Sequence, residues 1–265
     1  MSEVHLVSSM EGPDDAPVLI LANPIGTTRA IWDAQARILR EDYRLLRFEL
    51  RGHGEPGAQS GAPPGPYSIA ELGTDVLTLM REHGVAAAAY CGVSIGGMTG
   101  LWLAANAPDR ICSLVVCCAA ITPMPSRQSW LDRAALVRSE GMAAIGEMVP
   151  PRWFTPDFIA RQPAAVTFVM DMLLGTNPAG YAGCAAAIAA MDLRPALSAI
   201  KAPTLVIAGA EDQAAPPWHG AMTASGVTDA RLRVIRGTSH LAPYQTPGPV
   251  TAAILSHLGV PAKLR

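Results

Sequence analysis

The run Cys91-Gly92-Val93-Ser94-Ile95-Gly96-Gly97 contains the pattern G-x-S-x-G. A strand-like segment, Ala87 to Val93, precedes it, and a helical pattern, Ile95 to Asn106, follows directly. A strand that turns sharply into a helix at such a serine reads as a nucleophile elbow. Gly92 and Gly96 keep side chains out of the turn. Ser94 is then held strained, its hydroxyl exposed at a helix N-terminus whose N–H groups suit an oxyanion. The plainer alternative is a glycine-rich turn in which the serine only caps the helix.

Working outward, strand-like runs recur at Pro17–Asn23, Tyr43–Leu50, Ile111–Ala119, Pro203–Ala210 and Arg231–Gly237. Several are continuously apolar, as strands buried on both faces of a parallel sheet should be. Helical patterns fill the gaps. Ile69–His83 opens after Ser68 with Glu71 three residues on, the signature of a capping box. Thr251–Leu258 closes the chain. This alternation predicts an α/β fold with one mostly parallel sheet flanked by helices. It stops between residues 121 and 199, which read as helices only: Trp130–Val137, Ala143–Met148, Ala164–Leu174 and Gly180–Met191, broken by proline-rich seams. The expected organisation is one structural domain. Residues 1–120 and 200–265 form the core, and residues 121–199 an all-helical lid inserted into it.

Of the 265 residues, 50% are hydrophobic and 16% charged, which excludes a disordered chain. A net charge of −2 provides no basic field to hold nucleic acid. No run reaches the ~18 apolar residues of a membrane span, and the N-terminus has neither the basic start nor the apolar core of a secretory signal. The 5 cysteines, an odd number without a Cys-x-x-Cys, read as buried reduced thiols of a cytoplasmic protein with no structural zinc.

A serine hydroxyl needs a base to become a nucleophile. Of the 6 histidines, His240 stands just after the strand-like run 231–237, on the sheet edge that also carries Ser94. Asp212, after the run 203–210, is the candidate acid to orient the imidazole; its neighbour Glu211 is the runner-up. The chain order Ser94, Asp212, His240 is that of α/β-hydrolases. In Asn23-Pro24-Ile25-Gly26-Thr27, Pro24 has no N–H to donate. Ile25 and Ile95 are therefore the expected oxyanion-hole donors.

These residues resemble the α/β-hydrolase superfamily, and within it the 3-oxoadipate enol-lactonases. The narrower resemblance rests on Gly65-Pro66-Tyr67-Ser68-Ile69, Trp153-Phe154-Thr155 and Met191-Asp192-Leu193-Arg194. Arg51-Gly52-His53-Gly54 is shared more widely. The chain departs from the family at Pro24, usually Ser; at Glu49, usually Asp; and at Gln245, where a Glu commonly follows the catalytic His. The first strand of the usual opening hairpin is also absent. The resemblance implies hydrolysis of a small carboxylate-bearing lactone, without metal or cofactor. A carboxylate calls for a cation, and the helical stretch offers Arg127, Arg133, Arg138, Arg152 and Arg161. Arg133 is favoured, because it lies beside the apolar stripe Trp130, Ala134, Val137. Trp130 is then a further pocket wall. A general carboxylesterase or perhydrolase would use the same triad, and a non-catalytic receptor on this fold would bind without turnover.

Overall fold

The computed structural model describes residues 4–54 and 64–259. Among these, seven strands form one sheet: β1 (Ser8–Glu11), β2 (Val18–Ala22), β3 (Arg44–Phe48), β4 (Ala88–Val93), β5 (Ile111–Cys117), β6 (Thr204–Gly209) and β7 (Ala230–Ile235). Their order is β1-β3-β2-β4-β5-β6-β7. All neighbours are parallel except β1 against β3. The helices are α1 (Asp33–Leu39), α2 (Ile69–Glu82), α3 (Ile95–Asn106), α4 (Arg127–Glu140), α5 (Pro150–Trp153) and α6 (Pro156–Arg161). They continue with α7 (Pro163–Gly175), α8 (Pro178–Ala190), α9 (Pro217–Gly226), α10 (Ala242–Gln245) and α11 (Pro247–Leu258).

β4 is buried along its whole length, and its apolar run lies in the middle of the sheet. The register pairs Ala22 with Gly92, Val93 with Cys117 and Gly209 with Ile235. The carboxyl ends of these strands are therefore level. Loops that leave them converge on one edge, where open parallel sheets bind their ligands. α3 is apolar nearly all round and correspondingly buried from Ile95 to Leu101, because it packs on the sheet and on α2 at once.

Every element between β5 and β6 is helical, as the sequence pattern predicts. α4 lies along α8, whose many alanines and glycines let the backbones approach closely. α8 also meets the core directly, since the Tyr67 N–H donates to the Gly183 carbonyl at 3.2 Å.

Three local expectations need correction. β1 is a strand that the sequence pattern does not reveal: Ser-Ser-Met-Glu is a half-exposed edge with little apolar content, held by backbone bonds to β3. Residues 143–148 are not a full helix; only a short 3-10 turn, Met142–Ile145, forms. Cys112 is exposed at the entry of β5, whereas Cys91, Cys117, Cys118 and Cys184 are buried free thiols. Among the described residues no helix is long and apolar enough to cross a membrane.

The capping box at α2 is formed as its sequence signature predicts. The Ser68 Oγ accepts the Glu71 N–H at 3.2 Å, and the Glu71 carboxylate accepts the Ser68 N–H at 2.8 Å. Replacing Ser68 with Ala is expected to lower unfolding stability by about 1 kcal/mol. Urea denaturation measures this, and an unchanged midpoint would show that the cap is idle.

Candidate active site

The turn from β4 into α3 leaves Ser94 at φ 53° and ψ −120°, a left-handed backbone that a non-glycine residue adopts only under constraint. Its N–H donates to the Cys117 carbonyl and its carbonyl accepts the Met98 N–H, both at 2.9 Å. The turn closes only because its neighbours lack side chains. A Cβ on Gly92 would overlap the Gly96 carbonyl, and one on Gly96 would lie 2.6 Å from the Ala22 oxygen.

His240 Nδ1 lies 2.9 Å from Asp212 Oδ2. A carboxylate can only accept, so the Nδ1 proton is donated and Nε2 is left as the basic nitrogen. The other Asp212 oxygen accepts the N–H groups of Ala214 and Ala215 at 2.8 and 2.9 Å, which fixes the carboxylate. Glu211, the alternative acid, instead turns its carboxylate to the Gly237 N–H at 3.2 Å. Ser94 and His240 line one cavity, together with Ile25, Trp130 and Arg133. Ile95 is the first residue of α3, where an N–H has no partner within the helix.

Of the five candidate arginines named above, two reach this cavity: Arg133 and Arg152. Arg133 stacks over the Trp130 ring at 4.7 Å, and the Trp130 Nε1–H is anchored on the Met124 carbonyl at 2.8 Å. Arg127 and Arg138 are exposed, and exposed Arg161 pairs with Asp157 at 2.8 Å.

Several supporting residues escape sequence reasoning because they act across long separations. His53 is fully buried; its Nε2 accepts the Gly26 N–H at 2.9 Å, and its Nδ1 faces the Arg51 carbonyl at 2.9 Å. It therefore pins the loop that carries Ile25. Glu49 caps the same loop from beneath by accepting the Arg29 N–H. Gln245 donates to the Gly237 carbonyl at 3.0 Å and to Thr155 Oγ1 at 2.7 Å, and its Oε1 accepts the Ser239 N–H at 3.2 Å. It thus ties the His240 loop to the start of α6. An amide both donates and accepts here, which suits this position.

A family model for the alpha/beta hydrolase fold matches residues 17–247, and the chain belongs to the α/β-hydrolase family. It is 36% identical to 3-oxoadipate enol-lactonase 2 of Acinetobacter baylyi, covering 92% of this chain and 90% of that relative. The crystal structure of the enol-lactonase from Burkholderia xenovorans LB400 superposes with a TM-score of 0.92 at 38% identity, over 96% of both chains. A thermophilic esterase from Thermogutta terrifontis superposes with a TM-score of 0.88 at 27% identity, over 96% of this chain and 93% of that one.

Burial pushes His53 down to about 4 against the pull of its Arg51 hydrogen bond. Burial likewise pushes His219 down to about 4 against the nearby Asp212 charge. Both stay neutral in the fold where the unfolded chain, with its ordinary value of 6.5, takes up protons. The unfolded state then binds more protons, so stability is full above pH 6.5 and falls as pH drops toward 4. Urea midpoints measured across that window are expected to decline steadily. A flat profile would contradict the neutral buried histidines.

Proposed function

We propose that the protein is a serine hydrolase that opens 3-oxoadipate enol-lactone to 3-oxoadipate, in the cytoplasm, as a step in aromatic breakdown through the β-ketoadipate route. The observation that carries this reading is the meeting of Ser94, His240 and Arg133, remote in sequence, around one cavity. In this reading Ser94 attacks the ring carbonyl while His240 Nε2 takes its proton, and Asp212 steadies the imidazolium that forms. The N–H groups of Ile25 and Ile95 receive the oxyanion. Collapse breaks the ring C–O bond and releases an enolate, which takes the proton from His240; water activated by the neutral His240 then frees the acid from Ser94. No cofactor takes part.

Residues 121–199 act as a lid whose apolar inner face excludes water from the acyl-enzyme, and Arg133 and Trp130 bind the substrate carboxylate and its carbon skeleton. The enol-lactonases of Acinetobacter baylyi and Burkholderia xenovorans support the lactone assignment. The likeness to an esterase supports the wider ester-cleaving class. A general carboxylesterase would share the triad, but two guanidiniums in the cavity favour an anionic substrate over a neutral ester.

Loss of ultraviolet absorbance by the enol-lactone tests this directly. Wild type should turn the lactone over, and Ser94→Ala should lower kcat by at least about 1,000-fold. Arg133→Gln should raise KM by about 10-fold or more while kcat holds, because it removes binding common to ground and transition states. Turnover that survives Ser94→Ala would refute the nucleophile.

A further inference from the structure

Three polar groups of the helical stretch, Arg133, Arg152 and Tyr181, face the cavity. Arg133 and Arg152 both line it, and none of its lining residues is an Asp or Glu. Neither guanidinium forms an ion pair with a carboxylate among the described residues. Tyr181, completely buried, lines the same cavity, and its hydroxyl approaches Arg133 without a hydrogen bond in good geometry. Burial raises the Tyr181 pKa, with Arg133 and then Arg152 pulling it down, so the phenol stays protonated and able to donate. Arg152 is itself lowered, by burial and next by Arg133, with Asp212 opposing. Two like charges and an idle donor around one space are unfavourable until an anion enters.

The two arginines are not equivalent. Arg133 sits on α4 over Trp130. Arg152 sits on α5, and α5 is tied to both flanks of His240: the Ser239 hydroxyl donates to the Arg152 carbonyl at 3.4 Å and the Leu241 N–H to the Trp153 carbonyl at 3.2 Å. His240 carries the proton that must finally reach the leaving group, so the leaving oxygen passes on the Arg152 side. In the lactone this oxygen and the carboxylate belong to one fragment, two carbons apart. As the Ser94 Oγ–C bond forms and the ring C–O bond breaks, its electron pair stays on that oxygen. The opened chain, still held on Ser94, is a dianion until the Ser94-derived proton, held on His240, reaches that oxygen; the enol so formed then tautomerises to the ketone.

We propose that Arg152, helped by the Tyr181 hydroxyl, is a catalytic residue that stabilises the enolate leaving oxygen, while Arg133 holds the permanent carboxylate. This rests on the serine-hydrolase reading above. It makes Arg152 a group whose anion appears only during bond breaking, which shows in kcat rather than KM.

The test compares Arg152→Gln, Arg152→Lys, Tyr181→Phe and Arg133→Gln on the enol-lactone, and on phenyl and p-nitrophenyl acetate. Arg152→Gln should lower kcat on the lactone about 100-fold with KM changed less than about threefold, and Arg152→Lys should recover part of it. On the acetates, Arg152→Gln should cost about 10-fold more with the poor phenolate leaving group than with the stable nitrophenolate. Tyr181→Phe should follow the same pattern more weakly. A rise in KM at constant kcat, or an equal loss on both acetates, overturns the assignment. The acetates separate the two ideas. If the lactone is not a substrate but the leaving-group pattern persists, Arg152 keeps its role and the lactone assignment falls; if Ser94→Ala leaves acetate turnover intact, the nucleophile falls.

Discussion

At Ser94 the chain turns from β4 into α3 with a φ of 53°. A positive φ at a serine is tolerable only if the surroundings over-determine it, and they do. β4 is buried between β2 and β5, α3 is buried on nearly all sides, and Gly92 and Gly96 let the two elements close on each other. Tyr90 adds a bolt from inside the sheet, its hydroxyl donating to the Gly96 carbonyl at 2.9 Å. The strain is held by core packing, so the hydroxyl stays aimed at the carboxyl edge of the sheet without relying on a flexible loop.

Around that fixed point the other groups are set by interactions that cross the chain. The Asp212 carboxylate is immobilised by two backbone N–H groups before it meets His240. A buried neutral imidazole, His53, holds the turn at Gly26, and Gln245 holds the loop before His240. These supports share one physical character. Each is a buried polar group whose bonds are satisfied inside the protein, where a lost partner costs more than it would in water.

The helical stretch between β5 and β6 works by the opposite logic. It brings Met124, Val149, Trp153 and Ile188 to the cavity as apolar wall, and Arg133, Arg152 and the Tyr181 hydroxyl as polar groups left unbalanced. A cationic space beside Ser94 suits an anionic ligand.

How much of this could be read beforehand follows from the range of the interactions. The elbow, the parallel strands, the all-helical stretch and the Ser68 cap are written in local patterns, because backbone turns and apolar periodicity involve residues close in sequence. β1 was hidden because an edge strand needs no apolar pattern, only free backbone partners on β3. Asp212 could be preferred to Glu211 only weakly, since neighbours in a loop look alike until one meets His240 and the other Gly237. No local pattern marked Arg152 among the candidate arginines, and nothing in the sequence near Tyr181 pointed to its place in the cavity. Local pattern alone carries the six strands β2 to β7, the tight glycine-flanked serine and the chain order Ser94, Asp212, His240. Which arginines face the cavity and which polar groups lack partners follow from packing across the chain, because burial and charge balance are properties of what surrounds a residue in space.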